Sequence, residues 1–136
     1  MEQRSVLIVD DDISVARVLV RVFEKAGFSA QAAHDGEQAL ERLRAARYDA
    51  MICDIQMPRL DGRQLCQRLV TEGPYFPGCV VIATSRTELA ERTWLAEYPR
   101  VTLVEKPIAP RRLVQLLTRR LEGEGRAADS GEAQVA

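Results

Sequence analysis

Short apolar runs alternate with helical patterns five times along this chain. Continuous apolar runs of four to six residues are typical of strands that are covered on both faces. These runs occupy residues 6–9, 29–33, 50–53, 79–83 and 101–104, and the second is the weakest. Strict alternation of strands and helices predicts an α/β domain in which helices cover both faces of a parallel sheet.

The segments between the runs predict amphipathic helices. The first apolar face comprises Val15, Val18, Leu19, Val22, Phe23 and Ala26. Asp12 or Ser14 can cap the start of this helix, and Gly27 can close it. Residues predicted to face inward on the second, third and last helices are Ala39, Leu40, Leu43, Ala46, Leu65, Cys66, Leu69, Val70, Leu113, Leu116, Leu117 and Leu121. A less regular helix over residues 88–96 carries Trp94, which we expect in the core or at an interface.

Composition narrows the classes of function. A chain of 136 residues is about one domain, and nineteen Lys and Arg against twenty Asp and Glu leave a formal net charge of −1. This balance gives no reason to expect nucleic-acid or membrane-surface binding. No run approaches the roughly 20 apolar residues of a membrane span. Three cysteines without CxxC spacing and one histidine do not make a zinc site, so we expect buried thiols in a reducing cytoplasm.

Polar residues collect where the predicted strands end. Three acids, residues 10–12, follow the first strand, Asp54 ends the third, Thr84 ends the fourth and Lys106 follows the fifth. Ligands of open parallel sheets bind at the carboxyl ends of the strands, where these residues should meet. Clustered carboxylates repel one another unless a cation neutralises them, and all-oxygen ligands suit Mg²⁺. With a lysine and a hydroxyl nearby, the set predicts phosphoryl transfer to a carboxylate.

These residues also carry a family resemblance. The order Asp10-Asp11, then Asp54-Ile55-Gln56-Met57-Pro58 with Asp61-Gly62, then Thr84, then Lys106-Pro107 resembles a response-regulator receiver domain. The resemblance covers roughly residues 4–121. It implies a flavodoxin-like, doubly wound (βα)5 fold with strand order 2-1-3-4-5. The domain is expected over residues 1–121, followed by a flexible polar tail over 122–136.

The resemblance assigns a role to each residue of the metal site. Asp54 would accept the phosphoryl group, and Asp11 would bind Mg²⁺ directly. Asp10 would act mostly through a bound water, and Gln56 would offer its backbone carbonyl. Asp12 lies one position beyond the matching pair, so we interpret it as the cap of the first helix.

Further residues would contact the phosphoryl oxygens. The resemblance implies that Thr84 donates its hydroxyl, Ser85 its backbone N–H and Lys106 its ammonium group, with the Lys106–Pro107 peptide bond cis. Gln56 and Arg86 would flank the group, and we expect them to tune its lifetime.

The resemblance also implies partners. The phosphoryl donor would be a histidine kinase or a phosphotransfer protein, and signalling would proceed by contact with an unknown downstream protein or by phosphorelay. The domain would act in the cytoplasm as a phosphoacceptor that assists its own phosphorylation and dephosphorylation, and not as an enzyme for other substrates. A homodimer through the fourth helix, fifth strand and fifth helix is possible.

One position departs from the family, and two other functions stay open. Similar receivers usually carry a Tyr or Phe three residues before the lysine, where this chain has Leu103. A pseudo-receiver that is never phosphorylated is therefore one alternative. The other is a haloacid-dehalogenase-like phosphatase with Asp10 as nucleophile and Asp12 as acid/base, although it leaves residues 54–58 unexplained. His34 is interpreted as a surface or loop residue.

Overall fold

The computed structural model describes residues 3–85, 93–123 and 134–135. The strands are β1 (Ser5–Val9), β2 (Ser29–Ala33), β3 (Ala50–Asp54), β4 (Cys79–Thr84), β5 (Val101–Glu105) and β6 (Gln134–Val135). The helices are α1 (Ile13–Lys25), α2 (Gly36–Ala45), α3 (Gly62–Glu72) and α4 (Pro110–Glu122), with a short 3₁₀ helix over Trp94–Glu97. Most of the helix predicted over 88–96 lies outside the described residues, so α4 here denotes the last helix.

The strands form one parallel sheet in the order β2-β1-β3-β4-β5-β6. Its first five members confirm the predicted fold and order, and their ends agree with the predicted runs to within one residue. The strand order reverses between β1 and β3, which places a crevice at the carboxyl ends of these two strands. The sequence did not predict β6, which pairs with Thr102 and Leu103.

Two apolar layers cover the sheet. One face packs against α1 and α4 through Ala16, Leu19, Phe23, Leu113, Leu117 and Leu121. The opposite face packs against α2, α3 and the 3₁₀ segment through Ala39, Leu40, Leu43, Leu65, Cys66, Leu69, Trp94, Leu95 and Tyr98. Trp94 is buried and therefore belongs to the core. No helix in the described ranges is long and apolar enough to cross a bilayer.

The predicted inward faces were wrong at five positions. Val15 and Val18 on α1 are 43% and 52% exposed, and Val70 on α3 is 63% exposed. The C-terminal caps of α1 and α2, Ala26 and Ala46, are exposed as well. The buried row of α1 is Ala16, Leu19 and Phe23. Ala16 is only weakly apolar, so the hydrophobic pattern favoured the neighbouring row of valines.

Candidate functional site

Asp10 directly follows β1 and is buried, with 7% of its surface exposed. Its Oδ1 accepts a hydrogen bond from the Asp12 N–H at 2.9 Å. Burial is the largest influence on this carboxyl group and raises its pKa, the Asp12 N–H opposes this effect, and the negative charge of Asp54 adds to it. A bound cation would relieve this cost of holding a buried negative charge.

The next two residues separate into different roles. Asp11 is exposed beside the crevice. Asp12 caps α1, because its carboxylate accepts the N–H groups of Ser14 and Val15 at 3.0 and 3.2 Å. The prediction that Asp12 is a helix cap is confirmed. His34 is half-buried and lies close to the site, with its Nδ1 3.3 Å from the Asp10 carbonyl oxygen.

Asp54 ends β3, and two main-chain hydrogen bonds of Ile55 fix the chain directly after it. The Ile55 N–H donates to the Ala83 carbonyl at 2.9 Å, and the Gly62 N–H donates to the Ile55 carbonyl at 3.0 Å. A Cβ on Gly62 would lie 3.1 Å from the Asp54 carbonyl oxygen and from the Ile55 Cα. A side chain at this position would require the end of β3 to shift by a few tenths of an ångström, so glycine suits the close start of α3.

Lys106 reaches the same point from β5. Its Nζ lies 2.9 Å from Asp54 Oδ2, and the side chains of the two residues are 38% and 11% exposed. Its backbone N–H donates to the Thr84 carbonyl at 2.6 Å, which ties the ends of β4 and β5 together. The Lys106–Pro107 peptide bond is cis, as predicted.

The crevice gathers three carboxylates around one point. Oxygen atoms of Asp10, Asp11 and Asp54 all lie within 4.8 Å of one another. Oxygen donors with this combined negative charge fit a hard divalent cation such as Mg²⁺, which commonly takes one or two carboxylates and keeps several waters. The structure therefore brings the predicted acids and Lys106 together.

The remaining predicted residues surround this centre. Gln56 is exposed, and its N–H donates to Asp54 Oδ1 at 3.3 Å. The role of its carbonyl as a metal ligand stays a prediction. Thr84 is buried at the end of β4, and Ser85 beside it is exposed. Arg86 lies outside the described residues.

Sequence reasoning missed an apolar groove that opens onto the crevice. The groove has a volume of about 450 Å³ and begins at Asp10, Asp54 and Lys106. Its walls include Val15, Val18, Leu19, Ile108 and Leu113. The signal for this groove in the sequence was the pair of valines, because both are apolar residues of α1 that lie outside its buried row.

Comparisons with known proteins agree with this geometry. Residues 6–118 match the family model described as response regulator receiver domain. The protein named response regulator MprA from Mycobacterium ulcerans is 35% identical over 129 residues, which cover 92% of this chain and 55% of that protein. Its namesake from Mycobacterium tuberculosis is 36% identical over 114 residues, covering 84% and 47%. The chain thus spans about half the length of these curated relatives.

Solved structures show the same similarity. The chemotaxis protein CheY4 of Vibrio cholerae is 26% identical with a TM-score of 0.75, and the match covers 87% of this chain and 98% of that chain. A putative response regulator from Chloroflexus aurantiacus is 31% identical with a TM-score of 0.75, covering 89% and 99%. A family model that matches most of the chain decides the assignment. This chain belongs to the response regulator receiver domain family.

Proposed function

We propose that Asp54 accepts a phosphoryl group from a phosphohistidine and that the phosphorylated domain signals to another protein. The observation that carries this proposal is the position of Asp54, which lies 2.9 Å from the Lys106 ammonium group and beside two further carboxylates. A carboxylate is a recognised nucleophile for phosphoryl transfer. The surrounding charges match what such a reaction needs.

The chemistry divides among the side chains. An Asp54 oxygen attacks phosphorus and forms an O–P bond, while the P–N bond to the donor imidazole breaks and its electron pair stays on nitrogen. Lys106 stabilises the negative charge that spreads over the transferring oxygens. The Thr84 hydroxyl and the Ser85 N–H are proposed as further donors to these oxygens.

Mg²⁺ is the proposed cofactor, held by Asp10, Asp11, Asp54 and the carbonyl of Gln56. The cation neutralises charge on the phosphoryl oxygens when it is bound. Asp10 contributes a buried carboxylate of raised pKa, so cation binding compensates the electrostatic cost that burial creates.

The proposed donor is a histidine kinase or a phosphotransfer protein that docks over the apolar groove, because this groove is continuous with Asp54. The output is protein–protein contact or relay of the phosphoryl group, and the domain does not turn over other substrates. We propose that the domain works in the cytoplasm.

A small phosphodonor tests the proposal directly. The full chain is incubated with acetyl phosphate and Mg²⁺, and its intact mass is followed. We expect one added phosphoryl group that is stable in acid, is lost in base and does not form when EDTA removes the cation. Failure to form an adduct in the presence of Mg²⁺ would favour the pseudo-receiver alternative.

The phosphatase alternative has one specific weakness. It needs Asp12 as an acid/base, yet this carboxylate accepts two backbone N–H groups as the cap of α1. It would also place the nucleophile on Asp10, which the same adduct can test by its position.

A further inference from the structure

The outer edge of β5 has main-chain groups that do not bond to β4. Alternate residues of a parallel strand direct their N–H and C=O groups to opposite neighbours. The Val80 N–H bonds to the Arg100 carbonyl, and the Lys106 N–H bonds to the Thr84 carbonyl. The N–H and C=O groups of the even-numbered residues of β5 therefore point towards β4. The N–H and C=O of Leu103 point the other way, towards the outer edge.

The segment at residues 134–135 occupies this edge. Gln134 pairs in parallel with Thr102, and Val135 pairs with Leu103. An unpaired outer strand is a ready template for pairing with another chain. In this chain the template is taken by a segment of the same molecule.

The connection has the right length for such a pairing. Parallel strands need a crossover of a dozen or more residues, usually with a helix. The 13 residues of α4 rise about 20 Å and return the chain to the amino end of the sheet, where Thr102 lies. Residues 124–133 can extend about 33 Å, which exceeds the ~10 Å between a helical layer and the sheet.

We propose that the segment around Gln134–Val135 is an intramolecular edge strand that closes β5 and prevents a second copy of this chain from adding there. Two residue pairs make a weak contact, but the tether holds the segment near β5 at a millimolar effective concentration. The segment thus covers the outer edge of β5 within one molecule, and this edge becomes exposed when the segment is displaced. Opening it exposes the strand expected at the centre of the homodimer face.

A proline pair tests whether the edge is occupied. Gln134→Pro/Val135→Pro in the full chain removes two backbone N–H groups and disfavours a paired strand. Ala127→Pro/Ala128→Pro introduces the same residues outside the pair and serves as the control. The readout is the ratio of amide hydrogen-exchange rates of Leu103 and Val104, measured by NMR. The N–H of Val104 points towards β4 and is not affected by the outer edge. A change in global stability alters both exchange rates, so it cancels in the ratio.

We expect the ratio to rise about 3–10-fold in the 134/135 variant, the scale of one backbone hydrogen bond. The control should keep the wild-type ratio. An unchanged ratio in the 134/135 variant, or an equal rise in the control, overturns the proposal. Sedimentation should also show more self-association in the 134/135 variant than in the control, and equal masses would contradict the exclusion of a second copy.

Discussion

The residue that follows β5 and the residue at the middle of this strand lie three positions apart and have opposite characters. After its carboxyl end, Lys106 is partly exposed and forms an ion pair with Asp54 across the crevice. In its middle, Leu103 is fully buried and has no polar atom on its side chain. The first position carries the positive charge that the proposed phosphoryl transfer requires. The second lacks the aromatic ring that the family resemblance leads one to expect.

The aromatic rings in the same apolar cluster as Leu103 belong to segments other than β5. The Trp94 and Tyr98 rings meet edge to face at 5.3 Å between centroids, and both belong to the apolar cluster that contains Leu103. Leu103 fills its place in a packed core and has no hydroxyl that could exchange partners. We therefore expect the phosphoryl transfer proposed for Asp54 and the conformational response that reports it to be separable, because the first depends on the charges around Asp54 and the second on side chains that can move.

The largest effect is expected from Lys106→Met. Loss of the only cation within 2.9 Å of Asp54 among the described contacts should slow labelling by acetyl phosphate about 100–1000-fold, the scale of removing one preorganised charge partner. Lys25→Met is the control, because Lys25 is the other lysine of the chain and is exposed at the end of α1. Similar labelling rates in both variants would contradict the role of Lys106.

Leu103→Tyr tests the middle of β5. A larger side chain with a hydroxyl in a filled core should lower the free energy of unfolding by about 1–3 kcal/mol, measured by urea denaturation. Leu103→Met conserves volume and should cost less. We expect both variants to label at the wild-type rate. If the tyrosine slowed labelling as much as Lys106→Met does, chemistry and readout would not be separable.

Asp10→Asn should stabilise the metal-free protein by about 2–5 °C in thermal unfolding and abolish the stabilisation by Mg²⁺. The pKa of Asp10 is raised in the folded state, so its contribution to stability is complete below the ordinary value of 3.8 and is lost as pH rises through the folded pKa. The neutral amide removes this loss at neutral pH. Asp12→Asn keeps the helix cap and should retain the response to Mg²⁺.

Thr102→Val is expected to have the smallest effect. The buried Thr102 hydroxyl has no hydrogen-bond partner in the described structure. Replacing it by a methyl group of similar shape should leave stability unchanged or raise it by about 0.5–1 kcal/mol in urea denaturation. Thr118→Val removes a hydroxyl that donates to the Val114 carbonyl at 2.7 Å and should bring no gain. A loss in Thr102→Val alone would mean that this hydroxyl is satisfied after all.

The sequence predicted most of the sheet and the centre of the site for a physical reason. Strands covered on both faces must be continuously apolar, so the polar residues that interrupt them mark the strand ends. Parallel strands bring those ends together, so the sequence alone predicts Asp10, Asp54 and Lys106 at one edge of the sheet.

The features that the sequence did not predict depend on tertiary contacts. Val15 and Val18 fit an apolar stripe, but packing against the sheet selected the row of Ala16. The approach of His34 to Asp10 brings together residues that follow different strands. The pairing of residues 134–135 involves too few positions to produce a hydrophobic period.

The position of the phosphoryl group tests the central claim most directly. After labelling with acetyl phosphate and Mg²⁺, borohydride reduction converts an acyl-phosphorylated aspartate into homoserine, which peptide mass spectrometry can locate. We predict homoserine at position 54 in the wild-type chain and no adduct in Asp54→Asn. Homoserine at position 10, or an adduct of equal yield in Asp54→Asn, would contradict the account.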